Sequence, residues 1–522
     1  MAQDHVVVIG AGVAGLATAA LLLRDGKRVT IVDRLDEVGG RAGSLAVDGF
    51  RFDTGPSWYL MPEAFDHFFE LCGTTTAAEL DLVDLSPAYR VYDETGRYLD
   101  VTTGVDNVAE LFESLEPGAG ARVRSYLQQA TDVYSIALSQ FLYTTFSAPR
   151  KLVSADVRSH LGQLAVGLTR SLGAHVAKQF RDARLRHILT YPAVFLSSEP
   201  AQTPALYGLM SHTDLVEGVR YPQGGFRAVI QAIARQAEGA EFLLSTEVTA
   251  IETAGTRATG VRILGPDGAR TLAADAVVSA ADLKHTELAL LPKKARSYDD
   301  TYFARRNPGV GTVVAFLGVR GELPQLLHHT LLFSSDWEPD FRAVFHGPED
   351  SRPLDASQSI YVSKTSATDS LTVPGDAVAP AGHENLFVLI PVPASVDVGH
   401  GDAYRDAASP RVDAIVDAAI DQLSRWVSIP DLADRIVTRK TLGPADFAER
   451  YHAWSGGSIG PAHTLAQSAF LRGKNISSKL NNVYYAGATT VPGVGVPLCL
   501  ISAENVIKRM HGDTSTGPLR RL

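Results

Sequence analysis

The sequence of 522 residues is 45% hydrophobic and 20% charged, which is ordinary for a folded globular protein with two or three domains. Its formal net charge of −10 argues against nucleic acid as a partner of the whole surface. Its two cysteines, Cys72 and Cys499, lie too far apart to suggest a metal-binding knuckle or a CxxC redox pair, so we expect no metal site and a reducing, cytoplasmic compartment.

A strand, a glycine-rich turn, a helix and a second strand open the chain. Apolar residues 6–9 lead into the pattern GxGxxG, an Ala- and Leu-rich helix follows, and residues 29–32 form a strand that ends at an acid. Such glycines permit a tight turn, the close approach of a pyrophosphate and close helix packing, while the acid accepts hydrogen bonds from an adenosine ribose. The predicted dinucleotide contacts are Gly10, Gly12, Val13, Ala14, Gly15 and Asp33.

Two alternatives compete with this interpretation. Residues 6–23 carry no charge and approach the length of a membrane span. A buried parallel strand and its covering helix have the same hydropathy, and the glycine spacing favours them. The other alternative is a glycine-rich turn in a different kind of parallel sheet, which the acid after the second strand disfavours.

A second glycine pair follows the acid. Gly39 and Gly40 allow another close approach of backbone to phosphate, and Arg41 places a guanidinium beside it. The alternative is a mobile loop with a solvated arginine. NAD-binding units lack this addition, and the combination resembles the FAD-binding start of the flavin amine oxidase and carotenoid desaturase superfamily.

Three further motifs narrow the resemblance. FDTGPSW at 52–58, LSPAYR at 85–90 and YPQGG at 221–225 resemble the bacterial and fungal type of phytoene desaturase, and the similarity extends through nearly the whole chain. It implies FAD as cofactor, with Gly55, Pro56 and Ser57 among its contacts. Asp53 in the same motif has an alternative role as a turn cap without chemistry.

Residues 105–220 differ in character from what precedes them. Segments 108–115 and 123–146 have helical spacing of apolar residues. A basic, leucine-rich stretch then contains Arg150, Lys151, Arg158, Arg170, Lys178, Arg181, Arg184 and Arg186, opposed by Asp156 and Asp182. This pattern fits a helix in the headgroup plane of a bilayer, or an ordinary helical subdomain with solvated arginines. The resemblance to enzymes of membrane-dissolved carotenoids favours the bilayer, on the inner face of the cell membrane.

From residue 221 the pattern alternates between strands and a helix. We predict a helix at 226–237, strands at 241–251, 260–264 and 276–280, and a hairpin turn at 265–268. The resemblance implies that the backbone near Val248 lies beside the adenine, although a structural strand pair has the same pattern. Strands at 310–319 and 386–391 and a loop-rich segment at 351–382 indicate a second domain whose sheet forms one wall of an apolar tunnel. His328, His329, His346, His383 and His400 lack metal-ligand spacing, and we interpret them as structural or exposed.

The C-terminal stretch contains a strand, a Gly/Pro loop and a helix at 498–510, before a polar tail at 512–522 that we expect to fray. Many flavoproteins have an acid that binds the ribityl chain at the position of Ala488, and its absence disfavours a simple amine oxidase. The resemblance implies FAD contacts at Gly487, Ala488, Gly495, Val496 and Pro497. Residues 452–458 and 467–469 resemble the family's substrate-side loop, although a plain glycine turn has the same pattern.

The predicted fold class is α/β. It comprises a Rossmann-like, GR2-type FAD-binding domain (1–80, 221–295 and 465–522), a mixed-sheet substrate domain (81–104 and 296–464) and a helical, membrane-facing subdomain (105–220). The resemblance implies a phytoene desaturase that transfers hydride to flavin and passes electrons to oxygen or quinone, with no catalytic residue identified. Three alternatives remain: a desaturase or isomerase of another polyene, a flavin amine oxidase, and a non-enzymatic FAD-bearing membrane partner.

Overall fold

The computed structural model describes residues 4–148, 167–346, 352–372 and 376–521. The described helices with eight or more residues are Val13–Arg24, Pro62–Leu71, Val105–Leu115, Ala119–Ile136, Ala183–Thr190, Phe226–Gln236, Glu338–Phe345, Pro410–Trp426, Pro444–Tyr451 and Val496–His511. The described strands are His5–Ile9, Arg28–Val32, Ser44–Val47, Phe50–Asp53, Leu82–Asp84, Tyr89–Tyr92, Tyr98–Val101, Arg220–Pro222, Glu241–Leu243, Glu247–Ala254, Arg257–Gly265, Gly268–Ala273, Ala276–Ser279, Val310–Arg320, His329–Leu332, Ile360–Ser363, His383–Pro393, Ile436–Leu442 and Val483–Tyr485.

A parallel sheet of five strands joins distant parts of the chain. Its order is Val483–Tyr485, Ala276–Ser279, His5–Ile9, Arg28–Val32 and Glu241–Leu243, and every neighbouring pair is parallel. The strand His5–Ile9 is buried throughout because both faces of the sheet are covered. This arrangement confirms the Rossmann-like prediction for the start of the chain, and residues 6–23 form a strand and a helix instead of one membrane span. The boundaries of the three predicted domains stay a prediction.

The prediction of one continuous strand at 241–251 was wrong, because these residues contribute to two different sheets. Glu241–Leu243 belongs to the parallel sheet, whereas Glu247–Ala254 forms an antiparallel sheet with the two strands that follow. The chain turns at Ser245, which has a φ of 50°. The Ser245 N–H donates to the Leu35 carbonyl at 2.8 Å, and Thr246 N–H donates to Asp33 carbonyl at 2.8 Å. These two bonds tie the turn to the loop after the second strand and break the β-pattern.

A mixed sheet of seven strands forms the second layer. Its order is Ile436–Leu442, Val310–Arg320, His383–Pro393, Ile360–Ser363, His329–Leu332, Tyr89–Tyr92 and Tyr98–Val101. One face packs on the helix Pro410–Trp426, and this contact buries Leu317, Ile390 and Leu423. The loop-rich prediction for 351–382 was wrong for Ile360–Ser363, a central strand whose four residues are all buried.

The helical region contains the helices Val105–Leu115 and Ala119–Ile136. The segment 123–146, predicted to be helical throughout, is α-helical only as far as Ile136. A π-helical stretch, Ala137–Leu142, follows. Arg150, Lys151 and Arg158 of the predicted basic stretch lie outside the described residues. Among the residues that the structure describes, no helix combines the length and the apolar character needed to cross a membrane.

The C-terminal tail is packed between Asp513 and Leu519, so the prediction of a frayed tail was wrong for that part of it. The Lys508 ammonium is fully buried on the last helix and donates to the carbonyls of Ser515 and Gly517 at 2.9 and 2.7 Å. Leu519 N–H donates to Glu504 Oε1 at 2.5 Å. A buried ammonium needs acceptors, and the tail supplies them.

Candidate functional site

One cleft unites the two sheets. It contains about 2310 Å³ of empty space, part of it open to solvent, and its lining includes residues at the carboxyl ends of the parallel strands. In open α/β sheets, ligands bind at this edge. The predicted cofactor contacts that line it are Gly10, Gly12, Val13, Ala14, Asp33, Gly39, Gly40, Arg41, Gly55, Pro56, Ser57, Val248, Gly487, Ala488, Gly495, Val496 and Pro497.

Gly15 is the one predicted contact that does not line the cleft, and the geometry assigns it to packing. A Cβ at Gly15 would lie 1.8 Å from the Gly10 carbonyl oxygen. At Gly12, by contrast, φ is −76° and a Cβ would find no atom closer than the Gly39 oxygen at 3.8 Å. The fold therefore requires glycine at position 15, whereas the missing side chain of Gly12 leaves room in the cleft itself.

Two helices begin at the cleft with unpaired ends. Val13–Arg24 starts after Gly12, and Val496–His511 starts after Gly495. Neither helix has a side-chain cap or an acid in its first turn. The free N–H groups and the positive end of each helix dipole consequently face the same space, which suits an anionic ligand with two separate negative regions.

The acid at the end of the second strand is held by backbone. Asp33 Oδ2 accepts from Ala11 N–H at 2.6 Å, and Oδ1 accepts from Leu35 N–H at 2.8 Å. Burial raises the pKa of Asp33, while these two N–H groups oppose that rise. Each oxygen keeps a further lone pair, so the oriented carboxylate can accept ribose hydroxyls from the cleft.

The second glycine pair lies beside Gly12 and lines the same cleft, and we call this part of the cleft the glycine concavity. Gly39 N–H donates to the Ala11 carbonyl at 2.9 Å, and Gly39 and Gly40 have φ values of 116° and 58°, which favour glycine. Arg41 Nη1 donates to the Ile459 carbonyl at 3.1 Å. The loop is thus attached to its surroundings, and its arginine lines the cleft.

Asp53 connects two of the sequence motifs. Its Oδ2 accepts from Phe226 N–H at 2.7 Å and its Oδ1 accepts from Arg227 N–H at 3.2 Å, at the start of the helix Phe226–Gln236. Desolvation raises the pKa of Asp53 to about 7. The FDTGPSW and YPQGG motifs are therefore neighbours in space, and this carboxyl group has a structural, capping role between them.

Two stacked histidines line the cleft: His285, which sequence reasoning missed, and His452, which belongs to the predicted substrate-side loop. The rings of His285 and His452 stack with centroids 3.7 Å apart and 1° between their planes. Both line the cleft, as does Val248, the predicted adenine neighbour. Burial lowers the pKa of His285 to about 4, so this imidazole is neutral near pH 7. The two residues are 167 positions apart in a sequence without a local signal for their contact.

The other half of the cleft is apolar. Val314, Leu389 and Tyr361 are cross-strand neighbours on the seven-stranded sheet, and all three line the cleft. Trp58 and Phe195 face the same space, with ring centroids 5.4 Å apart. The predicted apolar wall is therefore present. Within the described residues, no group of three or more His, Cys, Asp or Glu side chains is arranged to hold a metal ion.

Ala488 stands where many flavoproteins have an acid, and a buried arginine that sequence reasoning missed supports it. Arg472 Nη2 donates to the Ala488 carbonyl at 2.6 Å, and Nε donates to the Thr490 carbonyl at 3.1 Å. These bonds hold the Gly/Pro loop at the start of the last helix. Together with the two open helix ends and the glycine concavity, this loop fits the diphosphate and ring system of FAD.

Comparisons with known proteins agree with this geometry. The family model for flavin-containing amine oxidoreductases matches residues 13–510. The chain is 37% identical to the carotenoid 3,4-desaturase of Haloarcula japonica over 98% of this chain and 99% of the relative. It is 33% identical to the zeta-carotene-forming phytoene desaturase of Myxococcus xanthus, over 97% and 93% of the two chains.

Among solved structures, cyclohexylamine oxidase from Brevibacterium oxydans matches with a TM-score of 0.58 and 15% identity, over 98% of this chain and 100% of that one. At this identity the likeness shows a shared fold. The family match and the two relatives show more, because each covers nearly the whole chain. The chain belongs to the flavin-containing amine oxidoreductases, within their carotenoid desaturase group, and is an FAD-dependent oxidoreductase that acts on CH–CH groups.

Proposed function

We propose that the substrate is phytoene and that the products are lycopene-type polyenes. The observation that carries this proposal is the continuity of the cleft, whose glycine-lined end and apolar sheet face form one space. Val314, Phe387 and Leu389 offer a hydrocarbon surface without charge. A long isoprenoid gains free energy by leaving water for such a surface.

Within this proposal, the chain's own residues bind the polyene, orient it and remove it from water. Bound FAD supplies the acceptor for a hydride from an allylic C–H bond. The apolar wall holds the polyene and excludes water, and the aromatic rings of Trp58 and Phe195, which line the same space, can stabilise positive charge on the polyene. The loop held by Arg472 keeps the last helix oriented towards the reacting region.

A second substrate is favoured by one observation, the 37% identity to a carotenoid 3,4-desaturase. A protein of that kind would accept a carotenoid that already carries conjugated double bonds. An isomerase would change its substrate without a net loss of hydrogen, and an amine oxidase would release peroxide from amines.

The test is turnover by FAD-loaded protein in liposomes that contain phytoene, and separately in liposomes that contain lycopene, with chromatographic identification of products. We expect phytoene to disappear and longer chromophores to accumulate. Untouched phytoene together with a converted lycopene sample would replace this proposal with the second substrate. Peroxide release from amines, with both polyenes untouched, would overturn both.

We also propose that the protein works on the cytoplasmic face of the cell membrane and returns electrons to oxygen or a quinone. An apolar substrate dissolved in lipid supports this location. Rates at which oxygen and a quinone restore the oxidised flavin spectrum after anaerobic reduction would identify the acceptor, and failure of both would reject this part of the proposal.

A further inference from the structure

Two segments outside the cleft expose large apolar side chains. Leu465, Phe470 and Leu471 have relative exposures of 51%, 63% and 42%, and Leu168 has 44%. The Phe146 ring lies 6.3 Å from the Phe470 ring. The Arg170 carbonyl accepts from Ala205 N–H at 2.9 Å, and the turn Ala205–Leu209 also contacts Ser468, so the segment of Leu168 and the loop of Phe470 adjoin the same turn. We call Leu168, Leu465, Phe470 and Leu471 the apolar tip. Residues 467–469, predicted as part of a substrate-side loop, are absent from the cleft lining, unlike His452 and Ser458.

The apolar tip rests on a well-bonded base. The buried Gln467 side chain donates to the carbonyls of Asn307 and Ala462 at 2.9 and 3.0 Å. Ser468 Oγ accepts from the Tyr207 hydroxyl at 3.0 Å. Since these bonds fix both sides of the turn, the exposure of Phe470 is a property of the folded loop and does not come from a loose chain end.

The same base also forms part of the cleft wall. Tyr207 lies in the turn Ala205–Leu209, and the next residue, Met210, lines the cleft. His463 N–H donates to the carbonyl of Leu196, which lines the cleft as well. The apolar tip is therefore attached to the outer side of the segments that contain Leu196 and Met210, and the inner side of these segments lines the cleft.

Both segments carry basic residues and no acidic ones. The sequence has no Asp or Glu between Glu449 and Glu504, nor in residues 157–181, although the whole chain has a net charge of −10. Arg170 and Lys474, next to the exposed side chains in sequence, are exposed cations. Apolar side chains flanked by cations suit an anionic lipid surface, where the former enter the acyl boundary and the latter meet headgroups.

We propose that the apolar tip docks the protein on an anionic lipid bilayer. The inference rests on the proposed function, because a substrate dissolved in lipid has to reach the cleft from there. The apolar tip inserts into the acyl boundary, and the segments behind it place the apolar half of the cleft next to the membrane. The apolar tip includes none of Arg150, Lys151 and Arg158, which the sequence suggested as headgroup contacts and which lie outside the described residues.

The experiment is flotation of the full, FAD-loaded chain with vesicles of phosphatidylcholine and phosphatidylglycerol. The double variant Phe470→Ser/Leu471→Ser should bind at least tenfold more weakly, because it removes two apolar anchors. The matched control is Leu264→Ser, an equally exposed leucine (50%) on the strand Arg257–Gly265. The control should float like the wild type, and vesicles without phosphatidylglycerol should retain less wild-type protein.

Unchanged flotation of the double variant would overturn the proposal. So would a wild-type dimer that binds no vesicles and that the double variant dissociates, since a second copy would then cover the apolar tip. Flotation does not depend on turnover. Wild-type protein that floats but leaves all polyenes untouched would reject the proposed function alone, whereas conversion of detergent-dispersed phytoene with unaltered flotation of the variant would reject the docking surface alone.

Discussion

The indole ring of Trp58 stacks on the imidazole of His329, with centroids 4.3 Å apart and 10° between the planes. Trp58 lines the apolar half of the cleft, and His329 is fully buried behind it. Burial lowers the pKa of His329 well below its usual value, so the imidazole is neutral. His329 Nδ1 shares a hydrogen bond with the Tyr361 hydroxyl at 2.7 Å. The stack consequently holds Trp58 in place without placing a cation behind it.

Replacement of Trp58 by Leu should slow desaturation about five- to thirtyfold, because an aromatic face stabilises nearby positive charge by about 1–2 kcal/mol. Trp58→Phe should lose less, since it keeps a π face. The measurement is the single-turnover rate of flavin bleaching by polyene under anaerobic conditions. Equal rates for Trp58→Leu and the wild type, at equal FAD content, would contradict this role.

Gly12→Val should yield a folded protein that does not retain FAD. The φ of −76° at Gly12 is accessible to valine, and a Cβ there meets no protein atom within 3.7 Å, so the new side chain extends into the cleft. The measurement is the flavin absorbance of purified protein, with circular dichroism to establish folding. A variant with full yellow colour would contradict the phosphate assignment.

Gly15→Ala is the matched contrast in the same turn. Its Cβ would lie 1.8 Å from the Gly10 oxygen, so strand and helix would have to separate. We expect insoluble or unfolded protein, in contrast to the folded but colourless Gly12→Val. Soluble, yellow Gly15→Ala protein would show that the assignment of Gly15 to helix packing is wrong.

Asp214 should make stability depend on pH. Its Oδ2 accepts from the hydroxyls of Tyr191 and Tyr89 at 2.7 and 3.3 Å, and burial raises its pKa from 3.8 to about 7. Between these pH values the folded protein keeps a proton that the unfolded chain has lost. The contribution of protonated Asp214 to the free energy of unfolding is therefore complete below 3.8, the pKa in the unfolded chain. It is lost as pH rises through about 7.

The pKa shift of Asp214 changes the free energy of unfolding by at most about 4 kcal/mol. In Asp214→Asn, the free energy of unfolding from urea titrations should fall less between pH 5 and pH 8 than in the wild type. Some slope should remain, because desolvation also raises the pKa of Asp53 to about 7. Parallel curves for variant and wild type would contradict the role of Asp214.

Local patterns were sufficient to predict the strand–turn–helix–strand unit that lines the glycine end of the cleft. Gly10, Gly12 and Asp33 lie within one short strand–turn–helix–strand unit, where spacing alone determines which groups meet. The stack of His285 on His452 and that of Trp58 on His329 join residues far apart in sequence. Such contacts depend on how the two sheets pack, and the periodicity of a single sequence does not predict this packing.

The same limit explains the errors at individual elements. Residues 241–251 have one continuous β-pattern, yet hydrogen bonds to the loop after Asp33 turn the chain at Ser245. No local pattern marks Arg472, which is buried and donates to the carbonyl of Ala488. In each case a distant backbone group decides the outcome, and the sequence does not show which one.

The C-terminal tail offers a last prediction. Lys508 is fully buried, and its ammonium donates to the carbonyls of Tyr143, Ser515 and Gly517 at 2.7, 2.9 and 2.7 Å. Lys508→Met keeps the apolar stem but leaves these carbonyls without their donor, so it should destabilise the protein by about 2–5 kcal/mol.

Deletion of residues 513–522 should also destabilise the protein, because the ammonium then loses the acceptors at Ser515 and Gly517. Combining the deletion with Lys508→Met should cost less than the sum of the two, since a buried charge that has lost the acceptors at Ser515 and Gly517 is the main penalty of the deletion. Thermal unfolding of the four proteins, wild type included, measures this coupling. Strict additivity would mean that the tail stabilises the protein through contacts other than Lys508.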